Sequence, residues 1–460
     1  MELRVLAFLA DGRIPSASTE DALKRAVDWG LDIIVAQGTG MDPGPHWLGS
    51  GQPYNLEAFK ANITPYLKIS QDQEIPFVFS VGTAGTDTQV EASLQKINEI
   101  CKEEGLKFRI ATISGQIDKK YLKSKIENGT KIKRIINTSW LKEYLTVIDV
   151  DEASNIVGQM GPEPIMKALE QKVDGVITGR ALDSGLFMAA PLSRGIHVSV
   201  AAHAAKVLEC AGFAATPGTP AEALYGVIRN DHFIVKPPNP TMKCTIASVL
   251  GHSMYERRDP FREENPGGYL DLSKVEFEQL DDVTVKAYGA QWVSTAYSVK
   301  IEGAKKVGYR TLFISGIREE SLISQIDDYL ATISRQMKET PPFATLDHES
   351  DYQITFRVYG KNGVLGELEP IQTTKSHELG LIVDVVAKTQ ELADSIGGYF
   401  WSRILVSPFK GRKTTAGNVA VPFSPPIVSA GEVYSFNVWH LLPLDDPLEP
   451  FRIRISDFPA

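Results

Sequence analysis

The chain has 460 residues, 43 % of them apolar and 23 % charged, the balance of a folded protein rather than a disordered one. That length points to roughly two to three domains, more than one ordinary core serves. A net charge of −9 argues against a protein built to grip a phosphate backbone, so no nucleic-acid partner is expected.

The chain opens Met1-Glu-Leu-Arg-Val-Leu-Ala-Phe-Leu-Ala and turns polar at Asp11-Gly12-Arg13. This apolar run is too short to span a bilayer and no small-residue cleavage site follows it, so it reads as a first buried strand. No later stretch reaches membrane-spanning length, and no membrane partner is expected. Cys101, Cys210 and Cys244 lie far apart with no CxxC pair. They supply neither a disulfide framework nor a structural zinc site, and a reducing, cytoplasmic location fits them.

Short branched runs at 3–9, 33–36, 77–81, 108–113 and 173–178 predict buried strands, each ended by Gly or polar residues. Helical patterns lie between them. Ser18 and Asp21 suit a helix start with Ala22, Ala26 and Trp29 on one face, and Val90, Leu94, Ile97 and Cys101 space as another face. Strands alternating with helices predict an α/β fold whose parallel sheet is doubly wound; an open barrel is the second choice. The lysines between Lys102 and Arg134 are mixed with Glu103, Glu104, Asp118 and Glu127, which predicts a solvated face.

Beyond about residue 220 the texture changes. Pro237-Pro238-Asn239-Pro240 breaks the chain, and strand patterns dominate at 283–288, 296–302, 310–317 and 352–359, with a helix over 319–337. A further helix is predicted over 379–396, then strands at 433–442 and 451–455. The division that follows is an α/β ligand-binding domain over 1–218, an α+β extension over 219–345 and a C-terminal α+β, β-rich domain over 346–460.

In a doubly wound sheet, ligands bind outside the carboxyl ends of the strands. The loops there hold Asp11; Gly38, Thr39, Gly40, Asp42 and His46; Gly82, Thr83, Ala84, Gly85 and Asp87; Ser114 and Gln116; and Arg180 and Asp183. Glycine admits close backbone approach, and free N–H groups at a following helix start attract anions. A plain strand-to-helix turn explains any one of these loops equally well. No GxGxxG follows the first strand and no GxxxxGK[ST] occurs, which disfavours a Rossmann-type NAD site.

His46 is the acid–base candidate because imidazole titrates near neutrality, with Asp11, Asp42 and Asp183 as alternatives. His203 lies in an apolar helix pattern and is expected to be a core residue. His252 and Glu256 stand in a polar constellation and are candidates for substrate binding. Cys210 is expected to be structural. No HExxH, EF-hand or compact His/Asp cluster supports a protein-only metal site; a loosely held divalent ion on Asp11, Asp42 or Asp183 stays open.

Gly179-Arg-Ala-Leu-Asp183-Ser-Gly-Leu-Phe187 followed by Leu208-Glu-Cys-Ala-Gly212 resembles a region of the acyclic terpene utilisation (AtuA) family. So do His252-Ser-Met-Tyr-Glu-Arg-Arg-Asp-Pro260, Pro266-Gly-Gly-Tyr-Leu-Asp-Leu272, Glu278-Gln-Leu-Asp281, Ile301-Glu-Gly-Ala304 and Val307-Gly-Tyr-Arg-Thr311. The similarity covers about residues 1–345, with the motifs in the same order. It implies a catabolic enzyme, found beside genes for acyl-CoA breakdown, and a ferredoxin-like C-terminal part. The tail here carries Phe409-Lys-Gly-Arg-Lys-Thr-Thr-Ala-Gly-Asn418 in place of the usual Arg-Ser-Gly-Asp-Lys-Gly.

Two functions follow. The first is an enzyme acting on a small organic acid or acyl-CoA thioester by proton abstraction, as a lyase of hydratase or dehydratase type or as an isomerase. There, His46 or a rim aspartate moves the proton, and Arg180 with the N–H groups of 82–85 holds the oxygen where charge develops. CoA enters only as part of the substrate, and a homo-oligomer is expected. The second is a non-catalytic subunit that binds an acyl ligand and delivers it to a partner enzyme. The absence of a GxSxG elbow disfavours the commonest hydrolase design.

Overall fold

A computed structural model describes residues 1–10, 19–136, 141–371 and 373–460. Asp11, the Asp11-Gly12-Arg13 loop and the Ser18 cap lie outside the described residues. The chain forms two compact units, one of Met1–Lys305 with Phe436–Ala460 and one of Lys306–Ser435.

The first unit is built on a strand buried on both faces. In Glu2–Leu9, the side chains of Leu3, Val5, Ala7 and Leu9 enter one apolar core while those of Leu6 and Phe8 enter another. Neighbouring side chains of a strand point to opposite faces, so a strand covered on both must be apolar at every position. Five such strands run parallel in the order Glu2–Leu9, Ile33–Gln37, Phe77–Ser80, Gly175–Thr178 and Phe108–Ile113. Helices Thr19–Asp28, Leu56–Asp72 and Asp87–Glu104 lend Leu23, Ile63 and Ile97 to one core; Asp183–Ser193 and Val198–Leu208 lend Phe187 and Val207 to the other.

The parallel strands are the middle of a larger, mixed ten-stranded sheet, which corrects the purely parallel expectation. Leu224–Arg229 pairs antiparallel with the first strand and turns within two residues into His232–Lys236. So short a turn leaves no room for a crossover and forces antiparallel pairing. Val285–Tyr288 and Glu276–Gln279 extend that side, and Ile453–Phe458 closes the other edge against Phe108–Ile113. Residues 301–304 pair with Asn155–Gly158, which brings the 298–305 stretch into this unit.

The second unit contains four strands with 427–435 and 352–359 at the ends of the order 352–359, 379–387, 306–317, 427–435. Helix Ile326–Glu339 lies between the first and second of these in sequence, and Gln390–Val406 between the third and fourth. The helix expected over 379–396 is instead the strand Leu379–Ala387 followed by a helix that starts at Gln390. Leu379, Leu381, Val383 and Val385 alternate inward in β-branched and apolar residues, and the Thr389 hydroxyl accepts from the Leu392 N–H to set the helix start.

Close packing of the loops at the carboxyl edge is the demand this sheet makes on its glycines. Gly85 sits at φ +72°, and a Cβ there would overlap the Arg180 backbone nitrogen. Gly85→Ala should therefore cost roughly 3 kcal/mol in urea unfolding. Gly251, in helix Ile246–Met254 with open space around it, is the contrast. Gly251→Ala should be neutral or stabilising by up to about 1 kcal/mol. Equal effects at the two positions would show that packing at the loop edge is not what Gly85 provides.

Candidate functional site

Three of the loops meet over the carboxyl ends of the parallel strands. Thr39 and Thr83 bridge as parallel partners, and the Gly40 N–H donates to the Thr83 carbonyl at 2.7 Å. The Arg180 N–H donates to the Gly85 carbonyl at 3.3 Å.

Arg180 ties these loops together from within. It is 4 % exposed. Its Nε donates to Glu302 Oε2 at 2.9 Å, and its Nη1 to the carbonyls of Thr39 and Ala181 at 3.0 Å and to Asp183 Oδ1 at 2.9 Å. Glu302 is fully buried and also accepts from Gln159 Nε2 at 3.0 Å, with Lys300 Nζ 3.4 Å away. Burial alone would push the Glu302 carboxyl up; Arg180 and Lys300 outweigh it and hold the group below its ordinary value. Burial likewise works against the Arg180 charge, and Glu302 and Asp183 more than offset it. Two of the three guanidinium nitrogens are thus spent on the protein, which makes Arg180 a fastener of the site.

Asp183 is the open member of this network. It begins helix Asp183–Ser193 and its side chain is 37 % exposed. Oδ1 accepts from Arg180 and, at 3.3 Å, from Gln37 Nε2. Oδ2 accepts no hydrogen bond among the described residues. The carboxylate is therefore fixed through one oxygen, and the other has no partner among the described residues.

A second polar cluster lies beside it, reached through Ser184 Oγ, which donates to Asn265 Oδ1 at 3.2 Å. Helix Val198–Leu208 brings Lys206, whose Nζ donates to Glu209 Oε1 at 2.5 Å and stands 4.4 Å from the Tyr255 ring centre. Tyr255 Oη is 2.9 Å from Cys210 Sγ, and its ring lies 4.6 Å from that of His252. Arg257 pairs with Glu263 at 3.3 Å. Burial, followed by the field of Glu263 and Asp183, raises the Glu209 carboxyl despite Lys206, and burial raises Glu263 despite Arg257 and Lys206. Burial, then Lys206 and Arg257, pushes His252 down to about 4, so its imidazole is neutral at pH 7.

The remaining sequence candidates fall around these centres. Gly38, Thr39, Ala84 and Gly85 are buried in the loop packing, and Gly40, Gly82 and Thr83 are half-buried. Asp42 is exposed, and His46 stands edge-on to Trp47 at 5.0 Å in helix Pro45–Ser50. Glu256 is exposed at φ +60° and the cluster uses its neighbour Arg257 instead. His203 is 1 % exposed, edge-on to Phe233 and Phe277, and pushed down to about 3 by burial. Burial, then Glu209, pushes the Cys210 thiol up to about 12, the state of an inert thiol. Among the described residues no three His, Cys, Asp or Glu side chains gather as metal ligands, and no helix is long and apolar enough to cross a membrane. Sequence reasoning passed over Lys206, Glu209, Arg257, Glu263, Lys300 and Glu302. Their signal was charge on an otherwise apolar helix face and charge inside a strand.

Residues 49–424 match the family described as acyclic terpene utilisation family protein AtuA. The chain belongs to the AtuA family. The match reaches further into the C-terminal part than residue 345 and takes in Arg180, Asp183, both polar clusters and most of the second unit. No curated protein and no solved structure matches the chain.

Two outcomes test this geometry. The Glu302 carboxyl titrates below its unfolded value, so its contribution is complete above the unfolded value of about 4.3 and is lost as pH falls through the folded one. Glu302→Gln should cost roughly 3 kcal/mol at pH 7, because Arg180 stays buried with one partner fewer, and should flatten the acid limb of the stability curve. Wild-type stability at pH 7 would remove the pair from the framework. Cys210 should react with a thiol reagent at pH 8 far more slowly than an unfolded-state cysteine, and labelling at the denatured rate would contradict its burial.

Proposed function

We propose that this AtuA-family protein is an enzyme that acts on a small organic acid or its acyl thioester by moving the proton next to the carbonyl, with Asp183 as base. Family membership suggests a role in acyclic terpene utilisation. The observation that carries the reading is the Asp183 carboxylate, held through Oδ1 by Arg180 and Gln37 with Oδ2 open on a part-exposed edge. A general base needs that combination of fixed orientation and an uncommitted lone pair.

The reaction class favoured is a lyase of hydratase or dehydratase type, with an isomerase of the same substrates next. Elimination would proceed by transfer of the α-proton to Asp183, formation of the carbon–carbon double bond and departure of the β-hydroxyl as water with a proton from the site. N–H groups of residues 82–84 would face the carbonyl oxygen as charge develops, the Gly85 N–H being taken by the Gly82 carbonyl at 3.1 Å. CoA would enter only as part of a thioester substrate. A cytoplasmic homo-oligomer is the setting we propose. The strand order of the 306–435 unit supports reading it as ferredoxin-like, and the functional division into 1–218, 219–345 and 346–460 remains part of the proposal.

The test is deuterium exchange. The protein is incubated in heavy water with 3-hydroxybutyrate, crotonate and their CoA thioesters, and the α-proton signal is followed by proton NMR. Wild type should exchange or interconvert at least one of them. Asp183→Asn should slow this by roughly 100-fold or more with little change in melting temperature. Exchange at the wild-type rate in Asp183→Asn would end the assignment of the base. Saturable binding of a thioester with no exchange in wild type would favour an acyl-binding subunit instead.

A further inference from the structure

We propose that the cluster of Lys206, Glu209, His252, Arg257 and Glu263 is a binding site for the carboxylate of a small organic acid, with Arg257 as the anchor. The inference rests on the reading above for the chemistry and supplies it with a substrate class.

The first argument is unused hydrogen-bonding capacity. Arg257 is nine-tenths buried, its Nη2 meets Glu263 at 3.3 Å, and its Nη1 is enclosed without a partner among the described residues. His252 is 8 % exposed, and its Nε2 is likewise enclosed and unpartnered. A buried guanidinium nitrogen left unpaired loses its hydration without compensation. Native interiors satisfy such groups, so the Arg257 Nη1, which can only donate, marks the place of an acceptor supplied from outside, and the His252 Nε2 joins it in the tautomer that carries its proton there. A carboxylate has the acceptor oxygens that a guanidinium fork takes up.

The second argument is charge. The neighbouring network balances itself, with Arg180 and Lys300 set against Glu302 and Asp183. The cluster holds the cations Lys206 and Arg257 against the carboxyls Glu209 and Glu263, and both carboxyls are pushed up by burial. A proton kept on this pair leaves one positive charge over, which a monocarboxylate neutralises. Glu209 is faced by Lys206, Glu263 and Asp183, with Cys210 and Tyr255 beside it; His252 is faced by Lys206 and Arg257. His252 is neutral at pH 7 and adds no charge to the count. Lys206 keeps its proton because Glu209 and Glu263 outweigh the penalty of burial.

The third argument is position. Ser184, the residue after Asp183, donates to Asn265 Oδ1 at 3.2 Å, two residues from Glu263, so the cluster adjoins the helix start that carries the base. An incoming negative charge also raises the carboxyls further, so binding should take up protons where they are partly ionised.

Isothermal titration of the full-length protein with crotonate, against crotonamide as the neutral shape control, tests the site without requiring turnover. We expect saturable crotonate binding, at least 10-fold weaker binding of crotonamide, and net proton uptake at pH 8 read from heats in buffers of different ionisation enthalpy. Arg257→Lys keeps the charge facing Glu263 but loses Nη1, and should weaken crotonate at least 10-fold. Glu209→Gln should reduce the proton uptake. Equal affinity for crotonate and crotonamide, or no proton uptake in wild type, would overturn the site whether or not the variants fold. So would an undiminished affinity in a folded Arg257→Lys. Deuterium exchange on a thioester with no crotonate binding would sink this inference and leave the reaction class standing. Crotonate binding that Arg257→Lys abolishes, with no exchange on any substrate, would do the reverse.

Discussion

A buried arginine holds the functional edge of this protein together. Arg180 leaves the carboxyl end of a central parallel strand and turns inward, where a cation survives only if its partners are already in place. Glu302 is the indispensable one, since it is itself fully buried and has Gln159 and Lys300 to steady it. From this pair the rest follows. Thr39 and Ala181 lend carbonyls, which fixes the loops after two strands, and Asp183 is drawn into a set orientation by the same Nη1. The glycines of the edge serve this packing: the backbones of Gly85 and Gly115 lie against the Arg180 backbone so closely that a side chain would displace it.

The parallel strands were legible because each is covered on both faces and so is written as an unbroken apolar run. What the sequence hid was pairing between distant segments. Glu302 lies 122 residues from Arg180, and its charge sits in a strand where local pattern predicts nothing about a partner. The last strand, Ile453–Phe458, pairs with Phe108–Ile113 from the far end of the chain. The compact units part inside two long strands, Ser298–Ile317 and Ile427–Pro443, so no run of Pro, Gly or polar residues marks the boundary. At Leu379 the local signal was present but misread, because Leu-Gly-Leu-Ile-Val-Asp-Val-Val fits an alternating strand better than a helix face.

The candidate site was legible in part. Loops placed after buried strands gave Asp183 and Arg180, and the polar stretch after Gly251 gave His252. Arg257 was next to the chosen Glu256, and only the backbone tells them apart: at φ +60° Glu256 turns out to solvent while Arg257 turns in. Lys206 and Glu209 were visible as charges three apart in a run of alanine and valine, which reads as a helix end until the helix is seen to be buried on all sides.

The two carboxyl environments divide the chemistry. Asp183 sits at an edge, held through Oδ1 by Arg180 and Gln37, with no partner on Oδ2 among the described residues. Glu209 is buried within the polar cluster, where desolvation favours the protonated form even beside Lys206. A carboxyl that keeps its proton beside a carboxylate held open to substrate is the usual means by which one site both takes and gives a proton. If the substrate's carboxylate occupies Arg257, its charge further opposes ionisation of Glu209. Substrate binding would then reinforce the protonated form of Glu209 that burial already favours, beside a base whose orientation Arg180 has set.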